Sequence, residues 1–185
     1  TLNVVGVDVP TFGYPLQMYA FARAAAPRDA VGQNGAANDL KFDRNGVLHF
    51  AWYDTVARTM KYASQTTDGA WSDVQIIDDT VDNAGVYLSL AVGPDNRPAV
   101  AYFDGTNGAL RYAAFDGAQW NVQTIDSNRS VGLYPSLQFN RFGQPAIAYY
   151  KRSTGDLKLA EFNGTSWATR VLDAAGDAGR HASMV

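Results

Sequence analysis

The chain of 185 residues contains no cysteine, which excludes disulfides, thiolate metal sites and cysteine nucleophiles. Glutamate is nearly missing as well: of 18 acidic side chains only Glu161 is a glutamate, and the rest are aspartate. Aspartate competes well for turns and glutamate for helices, so this imbalance signals a turn-rich, helix-poor chain. Positive charge is scarce enough to leave the net charge at -3, which provides no broad cationic field for nucleic acid or an anionic membrane. No apolar run approaches the roughly 18 residues of a membrane span, and no secretory leader is visible. The two histidines, His49 and His181, fall at different positions of the pattern described below, so no zinc site is expected.

What the chain does contain is 46% hydrophobic residues, 17 glycines and an aromatic set of ten Tyr, nine Phe and four Trp. These are the ingredients of many short strands joined by tight turns. From Tyr134 to Asp173 four apolar runs, SLQF, PAIAYY, DLKLA and WATRVL, alternate with the turn-forming clusters NRFGQ, KRSTG and EFNGTS. That is a four-stranded meander, and the chain upstream repeats it. Trp71, Trp120 and Trp167 mark one column and Tyr62, Tyr112 and Leu159 another. Gly35, Gly85, Gly132 and Gly179 form a third, and Leu40, Leu90, Leu137 and Met184 a fourth. A period near 47 built from four short strands indicates the blades of an all-β propeller. The reading assigns residues 35–185 to blade repeats and residues 1–34 to an N-terminal extension or closing strand, with strands expected at TLNVVGVDV and LQMYAFARA.

In PAVAYF and PAIAYY, small Ala99, Ala101, Ala146 and Ala148 alternate with large Val100, Tyr102, Ile147 and Tyr149. Neither face is polar, so both must be covered, and bulky faces are expected to nest against the small faces of neighbouring blades. His49 occupies a small position and is expected to pack less regularly. Asp68, Asp116 and Asn163 each precede a glycine and are expected to bond the amides of their own turns. Lys41 and Lys61 read as solvated strand residues. Three repeats are complete and a fourth begins at His181, Ala182, Ser183 and Met184. Propellers typically close with four to eight blades, so further blades are expected from a longer parent chain or from another copy.

The pattern G-x-x-x-S-L, G-x-P-x-I-A-Y-Y, L-K-Y-A and G-x-x-W-x-V-x-x-I-D resembles the blades of bacterial secreted and cell-surface β-propellers related to the sialidase-like, BNR-repeat group. The likeness covers residues 35 to 185. NGTSW at 163 to 167 is similar to the Asp-box of sialidases, but its Asn lies directly before Gly instead of two positions before it. No arginine triad can be carried over. The resemblance therefore implies a propeller facing polysaccharide, secreted or at the cell surface, and does not imply sialidase activity.

Loops after the fourth and second strands of each unit share one face. There Ala37, Tyr87, Tyr134 and His181 form a column, and Asp39, Ser89, Ser136 and Ser183 form a second one on the inner strand. Nearby loops add Asp54, Arg58, Asp104, Asn107, Lys151 and Arg152. Tyrosine faces beside polar groups suit a sugar ring, so the expected ligand-binding residues are Tyr87, Tyr134, His181, Asp54, Asp104, Asn107 and Arg152. The bland alternative is that the tyrosines plug seams and the serines satisfy inner-strand backbone groups. Cast catalytically, His181, Tyr134 and Arg152 would be the toolkit of a polysaccharide lyase, and a glycoside hydrolase would need paired carboxylates. DDTVDN (78–83) and DAAGD (173–177) offer oxygens to calcium, with solvated turns the simpler reading; no cofactor is expected. The sequence favours a binding or scaffolding module for carbohydrate or a protein partner over an enzyme, with a self-assembling blade array as a third reading.

Overall fold

A computed structural model describes residues 37–81 and 83–184. The strands expected at TLNVVGVDV and LQMYAFARA, and Gly35, lie outside the described residues. Twelve strands follow in three groups of four. The first group is β1 (Asn38–Phe42), β2 (Leu48–Asp54), β3 (Thr59–Gln65) and β4 (Gln75–Asp78). The second is β5 (Ala84–Val92), β6 (Pro98–Asp104), β7 (Ala109–Phe115) and β8 (Trp120–Asp126). The third is β9 (Val131–Phe139), β10 (Pro145–Lys151), β11 (Asp156–Phe162) and β12 (Trp167–Asp173). Each group is a separate antiparallel sheet paired in sequence order, so each is a meander.

The sheets stack through their faces, and the alternation of residue size explains the stacking. Val100 and Tyr102 of the second blade join Ala51, Tyr53, Met60 and Tyr62 of the first in one buried cluster. Ile147 and Tyr149 of the third join Ala99 and Ala101 of the second in another. A bulky face thus meets a small one at each seam, which is how two apolar strand faces reach crystal-like packing density. Towards the turns, the Trp of the second and of the third blade leans edge-on against a Tyr of the blade before it. Tyr62 and Trp120 lie 5.1 Å apart at 66°, and Tyr112 and Trp167 lie 5.1 Å apart at 63°.

The first strands of successive blades run side by side and are tied by a relay. Asp39 Oδ2 accepts from the Leu90 amide at 2.9 Å, Ser89 Oγ from Leu137 at 3.1 Å and Ser136 Oγ from Met184 at 3.0 Å. The inner-strand column therefore satisfies backbone donors, as its bland reading held. The first blade departs from the pattern, because Trp71 makes a single bridge to Gln65 and β4 begins only at Gln75.

Lys61 is not solvated as expected. It is buried at 8% exposure and its ammonium lies 2.8 Å from Asp54. Lys41 is exposed beside Asp39 at 3.1 Å. His49 is buried, with Nδ1 2.6 Å from the Tyr62 hydroxyl. The turn residues behave as expected: Asp116 Oδ1 accepts from the amides of Ala118 and Gln119, and Asn163 Oδ1 from those of Thr165 and Ser166.

Candidate functional site

The loops after β4 and β8 meet the hairpin turns that follow β6 and β10. Gly105 N donates to Asn83 O, Val131 N to Gly108 O and Arg152 N to Ser130 O. These bonds gather two sets of loops on one face, as the repeat pattern requires. Within that face the strand register itself sets the tyrosines. In β9, Leu133 pairs with Tyr150 and Ser136 with Ala148, leaving Tyr134 and Pro135 opposite the single residue Tyr149. In β5, Ala84 pairs with Asp104 and Leu88 with Tyr102, so Gly85, Val86 and Tyr87 face only Phe103. Such bulges bend a strand and re-aim its side chains.

The result is a stack of tilted rings, at 56° between Tyr87 and Tyr134 and 44° between Tyr134 and His181. Tyr87 and Tyr134 have ring centroids 4.5 Å apart, and Tyr134 and His181 4.2 Å apart. Phe103 and Tyr150 flank the stack at 6.3 Å from Tyr87 and 6.2 Å from Tyr134. Tyr134 and His181, at the same repeat position, both adopt left-handed backbone, with φ of 50° and 56°. Non-glycine residues held there cost on the order of 1–3 kcal/mol each, and surrounding structure must offset it. The hydrogen bond to Tyr134, with a smaller contribution from burial, raises the Tyr87 phenol above its ordinary value. A cleft of about 460 Å³ opens here, lined by Asn38, Tyr87, Tyr134, Pro135 and His181 among others. Among the described residues, none that lines it carries a carboxylate.

The structure thus brings Tyr87, Tyr134 and His181 together, and treats the other expected site residues differently. Asp54 is 2% exposed, and its carboxylate is taken up by the amides of Val56 and Ala57 and by Lys61. Asp104, also 2% exposed, accepts from the amides of Thr106 and Asn107 and from Asn107 Nδ2. These two carboxylates and the Asn107 amide shape their own turns. The buried oxygens of Asp54 and Asp104 already hold two or three donors each, whereas Asn107 lies exposed on its turn. Arg152 lies exposed on the turn after β10, close enough for its charge to act on Tyr87.

In the loops considered for calcium, Asp78 and Asp177 are engaged by protein partners, and Asp82 lies outside the described residues. Asp78 accepts from the Tyr102 hydroxyl at 2.5 Å and from Arg111 at 2.7 Å. Asp177 pairs with Arg180 at 2.8 Å and accepts from the Tyr150 hydroxyl. Among the described residues, no group of three or more His, Asp or Glu side chains is arranged to hold a metal ion.

Sequence reasoning missed a second repeated arrangement, which joins blades. Asp78, at the end of β4, reaches Tyr102 and Arg111 of the second blade. Asp126, at the end of β8, accepts from Tyr149 at 2.7 Å and from Lys158 of the third. Burial pushes the Asp126 carboxyl up, but the bonds from Lys158 and Tyr149 outweigh it and leave the group below the usual carboxylate range. The same trade, with Lys61 as partner, lowers Asp54. Asp173 holds the equivalent position at the end of β12. It is exposed, with Oδ1 accepting from the Ala175 amide.

The sequence matches no protein-family profile and no curated protein. Solved structures do resemble the fold. An arginine-to-alanine triple mutant of AofleA from Arthrobotrys oligospora superposes with a TM-score of 0.56 at 11% identity, over 77% of this chain and 44% of that one. A GH43 beta-1,3-galactosidase with galactodeoxynojirimycin gives 0.51 at 10% identity, over 72% of this chain and 56% of that one. A fucose lectin from Kordia zhangzhouensis gives 0.48 at 12% identity, over 72% of this chain and 96% of that one. The fold is a β-propeller, incomplete in this chain. Its three four-stranded blades and the start of a fourth span about half the length of the first two of these structures.

Proposed function

We propose that this propeller array is a carbohydrate-binding module whose ligand lies on the Tyr87, Tyr134 and His181 stack. The observation that carries the reading is the pair of bulges that turn both tyrosines out of their sheets into one cleft, with Tyr134 held in strained backbone. Strain maintained at a surface cleft is typical of binding sites. Half-buried tyrosine rings and the exposed His181, beside phenol and amide groups, match the apolar face and hydroxyls of a pyranose. The solved structures similar in fold include a beta-1,3-galactosidase, which agrees with this ligand class at the level of architecture. The reading is of binding: among the described residues, the cleft lining carries tyrosine, histidine and asparagine and not the carboxylate pair that glycoside hydrolysis uses. Such a module works outside the cell, secreted or at the surface, and takes further blades from a longer chain or another copy to complete its ring.

The test is a glycan array followed by isothermal titration of the best ligand against Tyr87→Ala/Tyr134→Ala. The double variant keeps its circular dichroism and loses at least about tenfold in affinity, since two stacking faces are removed. Unchanged affinity would overturn the proposal, and so would unfolding of the double variant, which would make the stack a structural seam.

A further inference from the structure

The two seams inside the chain show what a blade must carry to dock on the one before it. The earlier blade offers an aspartate at the end of its fourth strand, Asp78 or Asp126. The later blade answers with a tyrosine hydroxyl from its second strand and a cation from its third. Tyr102 and Arg111 reach Asp78 Oδ2 at 2.5 and 2.7 Å, and Tyr149 at 2.7 Å and Lys158 reach Asp126 Oδ2. The spacing is shared as well. Tyr102 and Tyr149 stand 13 residues after the relay serines Ser89 and Ser136 of their own blades, and Arg111 and Lys158 stand 22 after them.

The outer face of the third blade repeats the offering half of this arrangement. Asp78 Oδ1 accepts from the Thr80 amide at 2.9 Å, Asp126 Oδ1 from Asn128 at 3.1 Å and Asp173 Oδ1 from Ala175 at 2.8 Å. The Asp173 carboxylate is therefore held by its own turn as the other two are, but it is exposed, and so is Ser183, next in the relay after Ser136. The apolar positions agree. Leu172 is 44% exposed where Ile77, its repeat counterpart, is 3% exposed, and Leu157 is half-buried where Met60 and Leu110 are fully covered.

A second copy of this chain does not fit that face. Trp52 holds the tyrosine position of the first blade, has no hydroxyl and is 3% exposed, while Lys61, at the cation position, is paired with Asp54 of its own blade at 2.8 Å. The corresponding faces of the second and third blades are used in the two seams. The occupant is instead joined to this chain, because residues 181–184 already open its first strand: Met184 N donates to Ser136 Oγ at 3.0 Å and Gln138 Nε2 to Met184 O at 3.2 Å. We infer that the outer face of the third blade is a docking surface for a fourth blade continuing from Met184, and that Asp173 selects it through a tyrosine hydroxyl 13 residues after Ser183 and a lysine or arginine 22 residues after it. A carboxylate enclosed at a seam is strongly penalised without such partners, so a blade lacking them is rejected.

The experiment lengthens the full chain by repeating residues 138–185 after Met184 in place of Val185, which sets copies of Tyr149 and Lys158 at those two positions. Urea unfolding is compared with and without Asp173→Asn. The substitution leaves the midpoint of the original chain in place and lowers that of the lengthened chain as far as Asp126→Asn does. Tyr149→Phe with Lys158→Gln, made in the added copy alone, abolishes the effect of Asp173→Asn. An Asp173→Asn midpoint unchanged in the lengthened chain would overturn the inference, as would an added blade that proteases digest like unfolded chain. Self-association of the original chain that Asp173→Asn abolishes would also overturn it, since a second copy would then be the occupant.

Discussion

The Tyr149 hydroxyl donates to Asp126 at 2.7 Å across the seam between the second and third blades, although each residue belongs to a different sheet. Together with Lys158 it forms an ionic latch whose members are nearly all hidden from water. The first prediction concerns its parts. Asp126→Ala strands the Lys158 ammonium in a buried site and destabilises the chain by roughly 3–5 kcal/mol. Tyr149→Phe removes one donor and costs about 1–3 kcal/mol. Urea denaturation measures both, and equal, small effects would show that the latch contributes little.

Asp173 provides the internal control. Its carboxylate sits at the same strand end but is exposed, so Asp173→Asn shifts stability by no more than about 0.5 kcal/mol. A loss as large as that of Asp126→Ala would mean that Asp173 is already latched to a blade.

The seam glycines fix how closely the blades approach. Gly132 has a φ of 95°, and a Cβ there would come within 2.7 Å of the Leu110 Cα in the preceding blade. Gly132→Ala is therefore expected to lower stability by at least about 2 kcal/mol, from backbone strain and overpacking together. A thermal melt of the variant reads this directly, and an unshifted midpoint would contradict the close approach.

Acid acts in two windows. Burial lowers the His49 pKa from 6.5, and the opposing effect of Asp43 only partly restores it. A depressed folded-state pKa means that the unfolded chain binds the extra proton more readily, so this contribution is complete above about pH 6.5 and is lost below it. Asp54 and Asp126, also lowered, contribute above the ordinary carboxylate pKa near 3.8 and lose that contribution at more acid pH. Stability measured from pH 7.5 to 5.5 should fall in the wild type and stay flat in His49→Gln. Parallel curves would remove His49 as the cause.

The architecture was legible because packing between blades imposes a local pattern. Alternation of Ala99 and Ala101 with Val100 and Tyr102 is visible within six residues, and the tryptophan column shows at a glance. Less local facts were hidden. Lys61 looks like any surface lysine until the face it occupies is seen to be covered. Asp78 and Asp126 look like turn formers because their partners lie 23 to 33 residues further on, in another sheet. The tyrosine column could be counted from the repeat. The bulges that aim it could not, since register depends on which residue of the neighbouring strand is skipped. The turn bonds of Asp54 and Asp104 were hidden for a related reason, as a carboxylate in a loop reads the same whether it faces solvent or its own backbone.

The relay of Asp39, Ser89 and Ser136 gives the array a direction. Every link runs from a side chain of an earlier blade to the amide of a later one. A ribosome delivers the chain from its N-terminus, so each acceptor emerges before the donor it will serve. Every blade thus leaves an acceptor ready for its successor, and each link can close as soon as the next inner strand emerges.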